Sequence, residues 1–484
     1  MTIKDLTPSN VWNNFYLLTQ QPRPSKHEEK VRAFLLKWAA EKGVNAWADE
    51  TGNVIMRKPA TPGYENRKGV VLQAHMDMVP QKIASSKHDF LTDPIETVID
   101  GDWVKANGTT LGADDGLGVA MAMSIMESKT LKHGPIDVLI TYDEETGMTG
   151  AECLKPGVLQ GDILLNLDSE DDDELCIGCA GGLDAIAKFK YKSIRVPAGY
   201  KGYKISISGL QGGHSGMDIS LYRGNANQIA AAAIIPVMEK KGVKLVDFTG
   251  GSLRNAIPFE AEVEIAVPAD KEIAAIRAIK KNLAFAKERY KESDPDFVFK
   301  VEKTRTATWY IEDKVALNAA KAIIMCPSNV IRMSQSMPGL TETSINLAIV
   351  RCAKGTITVA SLMRSAIDQS KAELASRVRY IFEAAGASIR FEGGYSGWVP
   401  KPTSPLITLV DGIYRKLYGE GMKVRATHGG LECALLGAKY PHWDMVSIGS
   451  TVRYPHSPDE RCLIKSVQKT WDLVCEILAN IPQK

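Results

Sequence analysis

The sequence predicts an α/β protein whose main domain is interrupted by an inserted α+β domain. Short, continuous apolar runs at Val70–Leu72, Val138–Ile140 and Ile163–Leu165 are typical of strands that are buried on both faces of a sheet. A buried helix is expected from Leu117 to Met126, between the first two of these runs. From about residue 181 polar and apolar residues alternate instead, and buried-strand character returns at Met445–Ile448. Two domains of different kinds are therefore expected.

The first helix is predicted close to the amino terminus. Ser25 followed by Glu28 matches the pattern of a capping box, which opens a helix. Apolar residues then recur at helical spacing, and Gly43 marks the expected end of the helix. The apolar positions are Val31, Phe34, Leu35 and Trp38.

The inserted domain has the pattern of half-solvated antiparallel strands and amphipathic helices. Tyr203–Ser208 and Glu260–Val267 alternate between polar and apolar residues. Lys271–Leu283 predicts an amphipathic helix, and Thr356–Met363 predicts a further strand. The Pro-rich segment Trp398–Pro405 indicates the linker that leaves this domain. We therefore predict an outer domain formed by residues 1–180 and 399–484 and an inserted domain formed by residues 181–398.

Composition excludes several classes of function. The chain has 59 basic and 57 acidic residues, so no excess charge favours binding to nucleic acid or to a membrane surface. No apolar run reaches the roughly 18 residues that a membrane-spanning helix needs. The first residues lack the basic and then apolar order of a signal peptide. Eight scattered cysteines are typical of reduced thiols, so we expect a cytoplasmic protein.

Residues able to bind metal or move protons follow the predicted strands or lie in turns. They are His75, Asp77, Asp114, Glu144, Glu145, Asp168 and His456. Taken singly, each has an ordinary explanation: Asp114 could cap a helix, and the Glu144–Glu145 pair could be a solvated turn. Because ligand sites form at the strand ends of α/β sheets, the whole set predicts a metal site. Imidazole and carboxylate ligands together suit zinc, with manganese or cobalt as alternatives.

Five segments carry a resemblance to a known family. They are Gln73–Met78, Gly112–Asp115, Asp143–Glu145, Asp168 and Pro455–Pro458. These segments resemble the co-catalytic zinc exopeptidases, a family that includes glutamate carboxypeptidase, aminoacylase and bacterial dipeptidases, and the similarity runs in order over nearly the whole chain. The resemblance implies a split catalytic domain with a mixed, twisted sheet covered by helices, and a lid formed by the inserted domain. It also implies an enzyme that uses two divalent metal ions to hydrolyse dipeptides, including Xaa-His (carnosine-like) dipeptides.

The resemblance further assigns a role to each residue of the site. Asp114 is expected to bridge the two metals, His75 and Asp168 to complete one site, and Glu145 and His456 to complete the other. Asp77 is expected to orient His75. Glu144 is expected to act as general base on a water held between the metals.

Residues outside this group are candidates for binding the substrate. In the family, a histidine corresponding to His214 contacts the substrate, where it could stabilise a developing oxyanion. Arg254, Asn255 and Arg364 are candidates for holding the free carboxylate, since a guanidinium suits that group. Glu432 could accept the α-ammonium group of a dipeptide.

Three alternatives stay open at this point. The first is an N-acyl amino acid deacylase of the same family, and the second is a non-catalytic binding protein that keeps the fold. The third is a redox protein that uses Cys176 and Cys179. The resemblance is compatible with a monomer and with a homodimer, and we expect a homodimer. The preferred first residue of the substrate and the physiological metal are not determined by the sequence.

Overall fold

The computed structural model describes residues 2–484, which divide into two compact units. The outer unit runs to Gly178 and also contains Pro400–Ala426 and Leu431–Lys484. The inserted unit contains Cys179–Val399 and Thr427–Gly430. The inserted unit therefore interrupts the outer unit in sequence. The catalytic and lid roles of the two units stay predictions.

The described residues form 23 strands and 12 α-helices. In chain order, the strands are β1 (Asn45–Ala48), β2 (Val54–Lys58), β3 (Val70–His75), β4 (Thr97–Asp100), β5 (Trp103–Ala106), β6 (Ile136–Thr141), β7 (Ile163–Asn166), β8 (Glu174–Cys179), β9 (Gly181–Lys190), β10 (Ser193–Arg195), β11 (Tyr200–Ser208), β12 (Lys244–Gly250), β13 (Ala261–Pro268), β14 (Val298–Thr304), β15 (Trp309–Ile311), β16 (Asn329–Met333), β17 (Thr341–Ala353), β18 (Thr356–Ser365), β19 (Ser388–Glu392), β20 (Lys423–Thr427), β21 (Asp444–Ser447), β22 (Val452–Arg453) and β23 (Arg461–Leu463). The α-helices are α1 (Ser9–Thr19), α2 (Glu29–Lys42), α3 (Ala113–Glu127), α4 (Glu144–Gly147), α5 (Thr149–Cys153), α6 (Ala226–Lys241), α7 (Glu272–Arg289), α8 (Asp313–Met325), α9 (Asp368–Ala384), α10 (Pro405–Tyr418), α11 (Glu432–Lys439) and α12 (Ile464–Asn480).

The outer unit is built on an eight-stranded sheet with the order β1-β2-β6-β3-β7-β21-β8-β20. Neighbouring strands from β6 to β21 are parallel, whereas β1, β2 and β8 pair in the antiparallel sense. Every residue of β3, β6 and β7 is buried, as their continuous apolar runs predicted. Because parallel strands end at the same edge of a sheet, the residues that follow these three strands are brought together. The predicted α/β class with a mixed sheet is confirmed.

Helix α2 confirms one local prediction and corrects another. Gly43 ends the helix in the left-handed conformation, with φ 70°. The predicted capping box of Ser25 and Glu28 is wrong, because no side chain caps the start of the helix. Instead, Ser25 Oγ donates a hydrogen bond to the carbonyl of Met78, and Glu28 Oε1 accepts one from the backbone N–H of Asp143. Glu28 Oε1 also accepts a hydrogen bond from the backbone N–H of Lys26 (2.9 Å), so both side chains bind groups outside the helix instead of capping it.

The inserted unit contains a nine-stranded antiparallel sheet. Its main path is β14-β11-β13-β12-β17-β18-β9-β19, and β16 pairs with β17. Helices α6 to α9 bury apolar residues against this sheet. Helix α7 contributes Ala275, Ile279 and Leu283, whose spacing of four residues is that of an amphipathic helix. The predicted α+β character of this unit is confirmed, although α7 extends beyond the predicted Leu283 to Arg289.

Within residues 2–484, none of the helices has both the length and the apolar character that crossing a bilayer requires.

Candidate active site

Three predicted ligands lie where elements of the outer unit meet at the edge of the sheet. His75 is the last residue of β3, Asp168 follows β7, and Asp114 lies in the loop at the start of α3, where its backbone is not helical (φ −80°, ψ 113°). Nε2 of His75 is 3.0 Å from Oδ1 of Asp114 and 3.5 Å from Oδ1 of Asp168. The structure therefore brings together the residues that the sequence assigned to the first metal.

His456 approaches the other oxygen of Asp114. Its Nε2 is 3.2 Å from Oδ2 of Asp114 and 3.0 Å from Oε2 of Glu145. His456 lies in a turn after β22 with φ 60°, and Glu145 lies in the short helix α4 that follows β6. Each oxygen of Asp114 thus faces a different histidine, which is the arrangement that a carboxylate bridging two cations needs.

Asp77 positions the residues around it through a single buried carboxylate. Its Oδ1 accepts a hydrogen bond from the backbone N–H of Glu144 (3.0 Å), and its Oδ2 accepts one from the N–H of Glu145 (3.2 Å). Oδ1 also lies 3.4 Å from Nδ1 of His75. Asp77 therefore contacts the ring of one predicted ligand and the backbone of both adjacent glutamates. Such contacts fix the direction of ligand side chains.

The site carries more carboxylates than its histidines can balance. Burial raises the pKa of Asp168 to about 7 and raises the pKa of Glu144 well above its usual range. The hydrogen bond with Asp114 raises the pKa of His456 to about 11. Burial opposes protonation of His75, but nearby carboxylates, Asp168 first among them, raise its pKa well above the usual value. Without a cation, each of these shifts favours the protonated form of the group.

The donor atoms of the site fit divalent cations. Ligand atoms of His75, Asp114 and Glu145 all lie within 4.8 Å of one another. Oε1 of Glu145 is buried and has no hydrogen-bond partner within the described residues, so it is available as a ligand. Imidazole nitrogens with carboxylate oxygens are ligands that zinc, manganese and cobalt accept. The residues present therefore fit the two cations that the sequence predicted.

Asp115 is a further carboxylate beside Asp114. Its ligand atom lies within 4.8 Å of those of His75 and Asp168. However, its Oδ2 accepts a hydrogen bond from the backbone N–H of His75 (3.3 Å), and its Oδ1 accepts one from that of Gly118 (3.1 Å). Both oxygens are used within the protein, so the geometry favours a structural role for Asp115.

Glu432 is entirely buried in the outer unit. Its relative exposure is 0%, and its Oε2 accepts hydrogen bonds of 2.6 Å from Gln73 Nε2 and from Thr141 Oγ1. Burial raises the pKa of Glu432 to about 8. This position favours a structural carboxylate, and the predicted contact with a substrate ammonium group stays a prediction.

Two of the predicted substrate-binding residues contact each other in the inserted unit. Nη2 of Arg364 lies 3.5 Å from Nε2 of His214, and Nε of Arg364 donates a hydrogen bond to Ser215 Oγ (3.3 Å). Burial and the adjacent guanidinium lower the pKa of His214. His214 is therefore a neutral imidazole at pH 7, next to a buried positive charge.

Arg254 and Asn255 have different surroundings. The guanidinium of Arg254 forms an ion pair with the buried carboxylate of Asp184. Asn255 is exposed, and its backbone carbonyl accepts a hydrogen bond of 2.7 Å from the N–H of Ser215. Of the two arginines predicted to bind the substrate carboxylate, Arg364 is thus the one beside His214.

Comparison with known proteins identifies the family. A model of the peptidase family M20/M25/M40 matches residues 71–480. The chain belongs to this family. It is 41% identical over 488 residues to the cytosol non-specific dipeptidase of Escherichia coli K12, and the alignment covers 100% of this chain and 99% of that protein. The aminoacylhistidine dipeptidase structure from Vibrio alginolyticus is 42% identical, with a TM-score of 0.93 and coverage of 100% and 99%.

A structure with lower sequence identity has the same fold. The structure of aminopeptidase PepT from Bacillus cereus is 16% identical, with a TM-score of 0.58, and covers 98% of this chain and 99% of that one. At this identity the similarity shows the fold alone. Membership of the M20/M25/M40 family confirms the resemblance to exopeptidases that the sequence motifs carried, and with it the prediction that the chain is a peptidase.

Sequence reasoning missed two residues near the site. Glu460 and Arg23 are both buried, and both contact the loop that carries Asp114. Glu460 has a local signal, because this carboxylate lies only four positions after the predicted ligand His456. Arg23 has no local signal, since the carbonyl groups that it contacts lie at least 53 positions away in the chain.

Proposed function

We propose that the protein is a metal-dependent dipeptidase that hydrolyses the peptide bond of free dipeptides, Xaa-His dipeptides among them. The observation that carries the proposal is Asp114, whose two oxygens face His75 and His456 while Glu144 lies in the adjacent helix α4. Two relatives that match over the full chain support it, since both are named as dipeptidases and one as a dipeptidase of aminoacylhistidines.

The proposed cations are two Zn²⁺ ions, and Co²⁺ or Mn²⁺ suits the same donors. His75 and Asp168 would hold one ion, Glu145 and His456 the other, and Asp114 both. When bound, such ions polarise a carbonyl oxygen and make a water molecule more acidic.

Glu144 is the proposed general base and acid. Its backbone N–H is held by Asp77 Oδ1 at 3.0 Å, so the start of α4 is fixed in direction. Its carboxylate takes a proton from the water that attacks the peptide carbonyl. It then delivers that proton to the nitrogen of the leaving amino acid, so the C–N bond breaks and two amino acids are released. A carboxyl group whose pKa is raised by burial is suited to holding the proton between these steps.

The inserted unit supplies the proposed substrate-binding residues. His214 would donate a hydrogen bond to the carbonyl oxygen as negative charge develops there. Arg364, with Arg254 and Asn255 as the other candidates, would bind the free carboxylate of the dipeptide. The roles of this unit as a lid and of the protein as a homodimer rest on the family resemblance. A cytoplasmic location is supported by the name of the Escherichia coli relative.

The test is hydrolysis of carnosine, Gly-His and Leu-Gly by the metal-stripped protein before and after Zn²⁺ is added. We expect cleavage only with metal, and a fall in kcat of about 10²- to 10⁴-fold in Glu144→Gln with its metal content unchanged. Glu152→Gln, which changes an exposed glutamate of α5, is the matched control.

Other outcomes would contradict this proposal. Cleavage of N-acyl amino acids but of no free dipeptide would identify a deacylase instead. Inactivity of the metal-loaded protein on both classes would favour the non-catalytic alternative. Activity that survives complete metal removal would exclude the mechanism.

A further inference from the structure

The buried carboxylate of Glu460 binds the backbone of the loop that carries Asp114. Glu460 is 2% exposed, and its Oε2 accepts hydrogen bonds from the N–H groups of Leu111 (2.8 Å) and Gly112 (3.0 Å). Its Oε1 accepts hydrogen bonds from the N–H groups of Ala113 (2.7 Å) and Asp114 (3.3 Å). Four successive N–H groups that point at one anion form an anion-binding nest, and here the anion is a side chain of the same protein.

Arg23 binds the same loop from a different part of the chain. It is 2% exposed, and its Nη1 donates hydrogen bonds to the carbonyls of Met76 (3.1 Å) and Asp77 (3.0 Å). Its Nη2 donates to the carbonyl of Gly112. The planar guanidinium thus joins the turn that follows His75 and contains Asp77 to the loop before α3.

Two glycines beside Asp114 leave no room for side chains where the backbone faces Arg23. Gly112 has φ 71°, and a Cβ atom added there would lie 2.5 Å from Nη2 of Arg23. A Cβ added at Gly116 would also lie 2.5 Å from Nη2. Glycine at both positions therefore allows the guanidinium to approach the backbone closely.

The contacts of these two residues converge on Asp114. Glu460 holds its backbone N–H and lies four residues after His456, whose ring contacts Oδ2 of Asp114. Arg23 ties the same loop to the segment of His75, whose ring contacts Oδ1. The end of β3, the loop of Asp114 and the turn of His456 lie far apart in sequence. The buried side chains of Arg23 and Glu460 join these three segments.

We propose that Arg23 and Glu460 are positioning residues that fix Asp114 between His75 and His456 and thereby set the affinity for divalent cations. This proposal rests on the proposed function, because it takes these residues to be metal ligands. Neither Arg23 nor Glu460 needs to contact the metal or the substrate, since both act through the backbone of the loop. Residues that hold metal ligands in place typically change affinity or activity by about 10- to 100-fold when they are mutated.

The test compares Glu460→Gln and Arg23→Lys with matched controls in the outer unit. Glu460→Gln keeps one accepting oxygen but replaces the other by an NH2 group, which cannot accept the backbone N–H groups. Arg23→Lys keeps the charge but loses the planar fork. The controls are Asp137→Asn and Arg57→Lys. Asp137 is also a buried carboxylate, and it accepts hydrogen bonds from Arg57 Nε (2.7 Å) and from the N–H of Gln160 (2.6 Å).

Zn²⁺ affinity is measured by competition with a chelator, and ligand geometry is followed by the visible spectrum of the Co²⁺-loaded protein. We expect both test variants to bind Zn²⁺ about 10- to 100-fold more weakly and to change the Co²⁺ spectrum. The controls are expected to keep the affinity and the spectrum of the unchanged protein, even where their Tm falls. A loss of stability alone would therefore not imitate the expected result.

Two results would overturn this proposal and leave the proposed function intact. One is a test variant that folds and binds Zn²⁺ as tightly as the unchanged protein, and another is an equal loss of affinity in the controls. If Glu460→Gln does not fold, Arg23→Lys and Glu460→Asp decide the outcome in the same way. If the unchanged protein itself binds no divalent cation, the proposed function fails together with this proposal, whereas a failure confined to the variants leaves the proposed function intact.

Discussion

The side-chain amide of Gln73 donates a 2.6 Å hydrogen bond to Oε2 of Glu432, a residue that lies 359 positions later in the chain. Thr141 Oγ1 donates a second hydrogen bond to the same oxygen. Within the described residues, Oε1 of Glu432 has no hydrogen-bond partner. Since burial raises the pKa of Glu432 to about 8, the group is mostly a neutral acid at pH 7. Glu432 therefore links β3 and β6 to the start of α11 as a buried polar residue.

This arrangement predicts that Glu432→Gln is tolerated and that Glu432→Leu is not. Leucine would leave the Gln73 amide and the Thr141 hydroxyl buried without their acceptor, at a cost of about 1–3 kcal/mol for each group. Urea unfolding of the metal-free variants measures the difference. If Glu432 binds the substrate ammonium instead, Glu432→Gln will raise KM for free dipeptides, and this result would support the role predicted from the sequence.

The raised pKa of Glu432 also gives a dependence on pH. The unfolded carboxyl has its usual pKa near 4.5, and the folded one has a pKa of about 8, so the folded state binds more protons between these values. The free energy of unfolding of the unchanged protein should therefore fall as pH rises from about 5 to 8 because of Glu432. Glutamine does not titrate, so the variant lacks this contribution. We therefore expect the Tm of metal-free Glu432→Gln, relative to that of the metal-free unchanged protein, to increase as the pH rises over this range. A constant difference in Tm would contradict the raised pKa.

Metal binding is predicted to release protons at pH 7. In the metal-free protein the pKa of His456 is about 11 and that of Asp168 is about 7, so at pH 7 His456 holds a proton and Asp168 holds one in about half of the molecules. A cation must displace these protons. Calorimetric titration with Zn²⁺ in buffers of different ionisation enthalpy counts the protons released. The affinity should also rise with pH between about 6 and 8. Binding with no proton release would show that the metal occupies a different set of ligands.

Substitutions of Arg364 and of Arg254 should have different effects on substrate binding. Arg364 lies beside His214, so we expect Arg364→Lys to raise KM for free dipeptides by about 10- to 100-fold through loss of a charge-assisted bidentate contact. Dipeptide amides lack the carboxylate, and their KM should not change. Arg254→Lys should leave KM unchanged and lower Tm, because lysine keeps the charge but lacks the guanidinium group that pairs with the buried carboxylate of Asp184. The opposite pattern would assign the carboxylate to Arg254.

His214 is expected to affect kcat more than KM. A neutral imidazole that donates a hydrogen bond to a developing oxyanion contributes mainly in the transition state, so His214→Ala should lower kcat by about 10²- to 10³-fold. Metal content should stay unchanged, because His214 is not among the side chains that surround Asp114. The exposed His442 provides a control variant, His442→Ala, which should retain full activity. A change in metal content would point to a ligand role instead.

The sequence predicted well those parts of the structure whose causes are local. Continuous apolar runs identified β3, β6 and β7, and the chemistry of the residues just after them predicted that His75, Glu145 and Asp168 would meet. Gly43 ended its helix as expected, since a left-handed residue at this position has a cause within the same turn.

The errors and omissions have causes that are distant in sequence. Ser25 and Glu28 match a capping box, but their side chains contact Met78 and Asp143 in the folded protein. Arg23 was missed for the same reason, because nothing in its neighbourhood marks it as a ligand of carbonyl groups. A pattern of adjacent residues contains no information on such partners until the order of the strands in the sheet is known.

The position of β21 has a consequence for a chain that is still being synthesised. β21 lies between β7 and β8 in the outer sheet, yet it is synthesised only after the whole inserted unit. Until then, one edge of β7 has unpaired N–H and carbonyl groups, and such open edges invite pairing with other chains. His456 is translated later still, so a nascent or truncated chain combines an aggregation-prone edge with an incomplete cluster of acidic ligands. Synthesis of β21 therefore provides the partner of β7, and synthesis of His456 then completes the cluster.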